Sequence, residues 1–188
     1  RVAEPVPPSD PSDWRPEKYA PVPTVAGDPD VWALRWLLDP RGSLVELYRH
    51  QWDMLQNDAG VSGIDQAYLS TTLPGVVKAW HLHARQVDRF VLLRGRLLLC
   101  TCPLAPPADA PEGWAPAVRE RTLDPERSPL LVQVPPGHAH GWAALGHEEA
   151  WVLNLCSHEY DGTDEFRRPA DAGPCDGVPY DWHRRRDG

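Results

Sequence analysis

Apolar and polar residues alternate along the middle of the chain in short runs, each closed by glycine or proline. Strand-like runs occur at 31–38 (VWALRWLL), 43–49, 64–72, 130–134, 142–145 and 149–156. Asp39-Pro40-Arg41-Gly42, Pro74-Gly75 and Pro135-Pro136-Gly137 supply turn chemistry between them. Residues 75–95 and the apolar run at 96–102 read as a central hairpin with Arg94-Gly95 at its turn. One helical turn is expected at 51–55, and a long Pro/Ala-rich loop over 103–117. Many short strands with little helix predict an all-β domain of closed architecture.

Outside this patterned region the chain changes character. Residues 1–30 carry Pro5, Pro7, Pro8, Pro11, Pro16, Pro21, Pro23 and Pro29, which forbid a helix interior or a central strand. That segment is expected to be an extended arm, either loose or laid over a neighbouring subunit through Trp14 and Tyr19. The barrel is expected over 31–160. Residues 161–188 are expected to be an irregular segment packed on it, ending in the basic tail Arg184-Arg185-Arg186.

At 188 residues and 41% hydrophobic content the chain suits one soluble domain. Its formal net charge of -8 argues against nucleic acid as a general partner, which needs a basic face. No apolar run reaches membrane-spanning length. Cys100, Cys102 and Cys156 lie in apolar surroundings and read as buried small hydrophobes of a reducing, cytoplasmic setting, with Cys175 in a loop.

The chemistry lies in two histidine pairs. In a strand, residues i and i+2 share a face, so His81 and His83 point one way and Trp80 and Leu82 the other. His138 and His140 repeat the spacing just after a Pro-Pro-Gly turn. The spacing of Gly75, His81, His83, Asp88 and Gly95 resembles the first signature of the cupin superfamily, with Asp in place of Glu. Pro135, Gly137 and His140 match part of the second, and Ala144 stands where metal cupins have Asn or His. The resemblance implies a double-stranded β-helix, or jelly-roll barrel, whose facing strands bring these side chains together. His81, His83, Asp88 and His140 then form a possible ligand set for iron, manganese, nickel or zinc, with Gln86 as a substitute.

A broader resemblance runs from about Val31 to Trp182. Asp39-Pro40-Arg41-Gly42-Ser43-Leu44-Val45-Glu46, Gln66-Ala67-Tyr68-Leu69-Ser70, Lys78-Ala79-Trp80-His81, the Pro135–Trp142 stretch PPGHAHGW and the ending Tyr180-Asp181-Trp182 occur in order. They are similar to motifs of the dTDP-4-dehydrorhamnose 3,5-epimerase family, a metal-free branch of the cupins. That resemblance implies no cofactor, a homodimer, and a nucleotide-linked sugar as substrate. It implies that His81 removes a proton beside a 4-keto group, partnered by an aspartate of the C-terminal region, Asp171 or else Asp176. Imidazole, with a pKa of about 6.5, suits that task. It also implies substrate contacts from Arg41, Glu46, Gln66, Lys78, His140, Trp142 and Asn154.

Two departures stand out. Asn154 falls where the family has its acid tyrosine, and Asp88 falls where the family has a lysine. Full double epimerisation is therefore in question. The sequence leaves three functions in view: an enolising isomerase acting from His81, a metal-dependent cupin (oxygenase or metal-assisted isomerase), and a non-catalytic sugar-nucleotide binding module.

Overall fold

The computed structural model describes residues 30–49 and 63–183, together with Val25, Asp28 and Trp52. Most of the expected proline-rich arm, most of the helical turn at 51–55, and the basic tail lie outside these residues. Among the described residues the regular structure is twelve strands and one 3-10 turn, Ala170–Ala172.

The strands are β1 (Val31–Ala33), β2 (Trp36–Asp39), β3 (Gly42–Val45), β4 (Gln66–Thr72), β5 (Val77–His83), β6 (Asp88–Arg94), β7 (Arg96–Pro103), β8 (Arg119–Leu123), β9 (Leu130–Val134), β10 (His138–Leu145), β11 (Ala150–Cys156) and β12 (Glu165–Arg167). One five-stranded sheet runs β1-β9-β6-β11-β4 and the other β12-β5-β10-β7-β8. The two face each other as a jelly roll. Their inward residues, among them Phe90, Leu92, Leu97, Leu99, Val132, Trp142 and Val152, fill one part of the interior. The remaining part is an open cup.

Several expectations change. The 31–38 run divides at Leu34, whose N–H donates to the Pro129 carbonyl: β1 joins the first sheet, while β2 pairs only with β3. The central hairpin does not form. β6 and β7 follow one another but belong to opposite sheets, so Gly95 is a crossing point rather than a hairpin turn. Gly95 has φ +78°, and a Cβ there would meet the Glu149 carbonyl oxygen at 2.6 Å, so only glycine fits. β8 and β12 were not expected. β8 is charge-rich and edges the second sheet, and β12 turns part of the supposedly irregular C-terminal segment into a strand paired with β5.

Trp80 faces away from the cup. It packs with Cys100, Cys102 and Trp182 beneath the C-terminal segment, which confirms that Trp80 and the histidines lie on opposite faces.

Candidate active site

The cup has a volume of about 240 Å³ and opens between the two sheets. β5 contributes Lys78, His81 and His83, and β10 contributes His140 and Trp142. The opposite sheet contributes Gln66, Tyr68 and Ser70 from β4, and Asp88 and Phe90 from β6. Glu165 and Arg167 of β12 and Tyr160 complete the rim.

Lys78 and His81 line one cup although an odd spacing should set them on opposite faces. The register explains it: His140 pairs with His81 but Gly141 with Ala79, so β5 carries one extra residue there. Such a bulge re-aims the side chains beyond it. Lys78 Nζ donates to Ser70 Oγ at 3.0 Å and to the Thr71 carbonyl at 2.6 Å, tying β5 to the opposite sheet.

His81 sits with Nδ1 3.1 Å from Glu165 Oε1. Arg167 in turn donates to both oxygens of Glu165 at 2.9 Å. Burial, helped by the charge of His140, holds the His81 pKa below its ordinary value, against the opposing pull of Glu165. The ring is therefore neutral at neutral pH. With its proton on Nδ1 toward the carboxylate, Nε2 is the nitrogen left to act as a base.

Asp171, expected as the partner of His81, lies exposed in the 3-10 turn. The runner-up, Asp176, is exposed and paired with Arg168 at 2.7 Å. The carboxylate that reaches the ring is Glu165, because β12 pairs with β5 and sets Glu165 opposite His83 and diagonal to His81.

Asp88 is 2% exposed and divides its two oxygens between different partners. Oδ1 accepts from Gln86 Nε2 at 2.7 Å and from Asn154 Nδ2 at 2.8 Å. Oδ2 lies 3.2 Å from His140 Nε2 and 3.5 Å from His83 Nε2. Burial opposes its ionisation, but His140, His83 and Asn154 outweigh burial and hold the pKa at about 2. Burial first, then the charge of Asp88, push the Cys156 thiol up to about 12, so it stays protonated.

His83 Nδ1 lies 3.1 Å from the Asp164 carbonyl and His140 Nδ1 3.2 Å from the His138 carbonyl. Asp164 also accepts from the backbone N–H groups of Ala84, Arg85 and Gln86, which fixes the turn leading out of β5. Of the four possible metal ligands, His83, Asp88 and His140 have converging donor atoms; His81 is turned to Glu165 and is not in that group.

Asn154 is fully buried: its Oδ1 accepts the Arg89 N–H, and its Nδ2 donates to Tyr68 Oη at 2.9 Å as well as to Asp88. A phenol thus meets Asn154, the residue where the resemblance places a tyrosine, but it comes from β4 rather than β11. Burial raises the Tyr68 pKa to about 12.

Trp142 donates to Thr72 Oγ1 at 3.0 Å and packs edge-on to Phe90 at the buried end of the cup. His138 lines a separate cavity with Arg119 and Arg121. Arg41 and Glu46 are not among the lining residues. Arg41 lies at the β2–β3 turn, and Glu46 pairs with Arg49.

A jelly-roll barrel whose cup holds an imidazole paired with a carboxylate, and a phenol on the facing sheet, defines a cupin with groups suited to proton transfer. Comparison with known proteins narrows this. No family model matches the chain. It is 32% identical over 147 residues to Agl13 of Haloferax volcanii, a probable low-salt glycan biosynthesis epimerase, covering 77% of this chain and 88% of the relative. A dTDP sugar isomerase from Desulfovibrio desulfuricans G20 superposes with TM-score 0.67 at 25% identity, over 82% of this chain and 90% of that one. NovW of Streptomyces spheroides, a 4-keto-6-deoxy sugar epimerase, superposes with TM-score 0.62 at 26% identity, over 84% and 80%. The chain belongs to the dTDP-4-dehydrorhamnose 3,5-epimerase-like family of cupins, a family of sugar epimerases and isomerases.

Proposed function

We propose that this protein is an isomerase that inverts a carbon next to a carbonyl, on a nucleotide-linked 4-keto-6-deoxy sugar or a related natural-product intermediate. The observation that carries the reading is His81, kept neutral by burial and oriented by Glu165 on one wall of the cup, with the Tyr68 hydroxyl on the other.

In this reading His81 Nε2 takes the proton α to the carbonyl, and the C–H electron pair moves into the carbonyl to give an enolate. Glu165 stabilises the imidazolium that results. Lys78 spends two N–H groups on Ser70 and Thr71, and its third faces the developing oxyanion. Tyr68, whose oxygen already accepts from Asn154, keeps its own proton for delivery to the opposite face of the carbon. The base stands on β5 of one sheet and the acid on β4 of the other, which is the arrangement inversion needs. Proton transfer of this kind calls for no organic cofactor.

A homodimer belongs to the same reading. The β2–β3 hairpin is part of neither large sheet and exposes Trp36, Leu38 and Leu44. It carries Arg41 at its turn, outside the cup of its own chain. A cytoplasmic setting, with Cys100, Cys102, Cys156 and Cys175 all free thiols, completes it.

The test is incubation of the full-length protein in deuterium oxide with dTDP-4-keto-6-deoxyglucose, followed by NMR. The expected result is solvent deuterium at a carbon flanking the ketone. Binding without exchange would assign a binding module instead, and neither binding nor exchange with any nucleotide-linked keto sugar would remove the substrate class.

A further inference from the structure

Glu165 reaches His81 from a strand with little hold of its own. β12 has three residues, and two of them, Phe166 and Arg167, are exposed. It stands at the edge of its sheet and pairs only with β5. A ribbon this short, with so little apolar burial, is not stable by itself. The segments on either side of it must therefore fix where the carboxylate stands. Before the strand, Asp164 is tied to the backbone N–H groups of Ala84, Arg85 and Gln86. After the strand, the chain is gripped by Trp80.

Trp80 directly precedes His81 and turns to the opposite face of β5. Its N–H donates to the Arg168 carbonyl at 2.8 Å, and its carbonyl accepts the Arg168 N–H at 3.0 Å. This pair carries the β5–β12 pairing one residue past Arg167, which stands opposite His81. The indole Nε1–H donates to the Ala170 carbonyl at 3.3 Å. The ring, 1% exposed, has its centroid 4.9 Å from that of Trp182 and 5.6 Å from that of Tyr180, which meets it edge-on. Tyr180 Oη in turn donates to Glu120 of β8 at 2.9 Å. The three rings thus supply the apolar burial and the polar anchors that β12 lacks.

We infer that Trp80 is a positioning residue: by seating the chain that follows β12 on the outer face of β5, it holds Glu165 against His81 on the inner face. Without the indole, β12 frays from its exit end, three residues from Glu165. The 3.1 Å bond to His81 Nδ1 is then no longer held, and the ring loses its fixed tautomer. The inference rests on His81 as the base of the proposed reaction, so its first readout is taken without substrate.

The test compares full-length wild type with Trp80→Phe, which keeps a ring against Trp182 but removes the indole N–H and part of the contact. Nitrogen-15 NMR of the imidazoles reports which ring nitrogen carries the proton, with the His81 signals assigned by their absence in His81→Asn. Wild type should show the Nδ1–H form at His81, and Trp80→Phe a clear gain of the Nε2–H form. In deuterium exchange Trp80→Phe should lower kcat roughly 10-fold with KM near wild type. Added to Glu165→Gln it should cost nothing further, because the bond it protects is already gone. An unchanged His81 tautomer, or a double variant in which the two losses multiply, would overturn the inference and leave Trp80 as packing alone. If no keto sugar exchanges, the isomerase reading falls while the imidazole signals still decide this one. Should Trp80→Phe fold poorly, Tyr180→Phe takes its place: it keeps the edge contact, removes the bond to Glu120, and should move the tautomer the same way. No movement there would overturn the inference equally.

Discussion

His81 Nδ1 and Glu165 Oε1 lie 3.1 Å apart, and the strand that carries the glutamate is hydrogen-bonded directly to the strand that carries the histidine. The carboxylate fixes which nitrogen of the ring holds the proton, so its loss should act on the base rather than on the fold. Glu165→Gln is expected to lower deuterium exchange by roughly 10-fold or more while leaving KM near wild type. It should also move the acid limb of the pH profile to lower pH, because Glu165 raises the His81 pKa. Asp171→Asn and Asp176→Asn should leave both rate and limb unchanged.

The wild-type pH profile follows from the neutral base. Burial depresses the His81 pKa, so the active, unprotonated form persists below the ordinary imidazole value of about 6.5. Exchange should be flat around neutrality and fall only as pH drops through that lowered pKa. Measured kcat/KM for exchange checks it, and a limb above about 6.5 contradicts the assignment.

Tyr68→Phe separates proton removal from proton return. Deuterium should still wash into the position served by His81, while net inversion drops by about 100-fold. The wild-type phenol, with its pKa near 12, should contribute no alkaline limb in the neutral range. Equal loss of washing-in and inversion would show that Tyr68 does not act as the separate acid.

Gly141 follows His140 at the register shift, and a Cβ there would sit 2.4 Å from Ala79 Cβ. Gly141→Ala is expected to cost about 1–3 kcal/mol, read as a lower urea midpoint. Because the strain forces β5 from β10, exchange should fall more than the loss of folded protein explains.

The sequence reveals the inward-facing histidines well and the groups that serve them poorly. Two-residue periodicity suffices for His81, His83 and Trp80, because strand sidedness is a local property. Lys78 lies on the wrong parity for the cup. Only the extra residue in β5, a matter of pairing with β10, brings it there. Glu165 belongs to a three-residue strand in a polar tail, too short to show alternation; the Glu-Phe-Arg run was its one available signal. Position along the chain points to Asp171, whereas the carboxylate beside His81 is set by which tail residues pair with β5. Tyr68 was read as part of a motif, and its meeting with Asn154 depends on β4 lying beside β11. The supposed hairpin at Gly95 failed for a similar reason: a glycine turn reads alike whether the chain doubles back or passes to the facing sheet.

The short strand Glu165–Arg167 has a consequence for biosynthesis. During translation the nine strands that make up most of both walls, β1 and β4 to β11, emerge before it, together with every imidazole of the cup. Until the ribosome has released that strand, His81 lacks its carboxylate partner. In the proposed reaction a nascent barrel is therefore a poorer catalyst, and full competence arrives only once β12 has emerged and paired with β5.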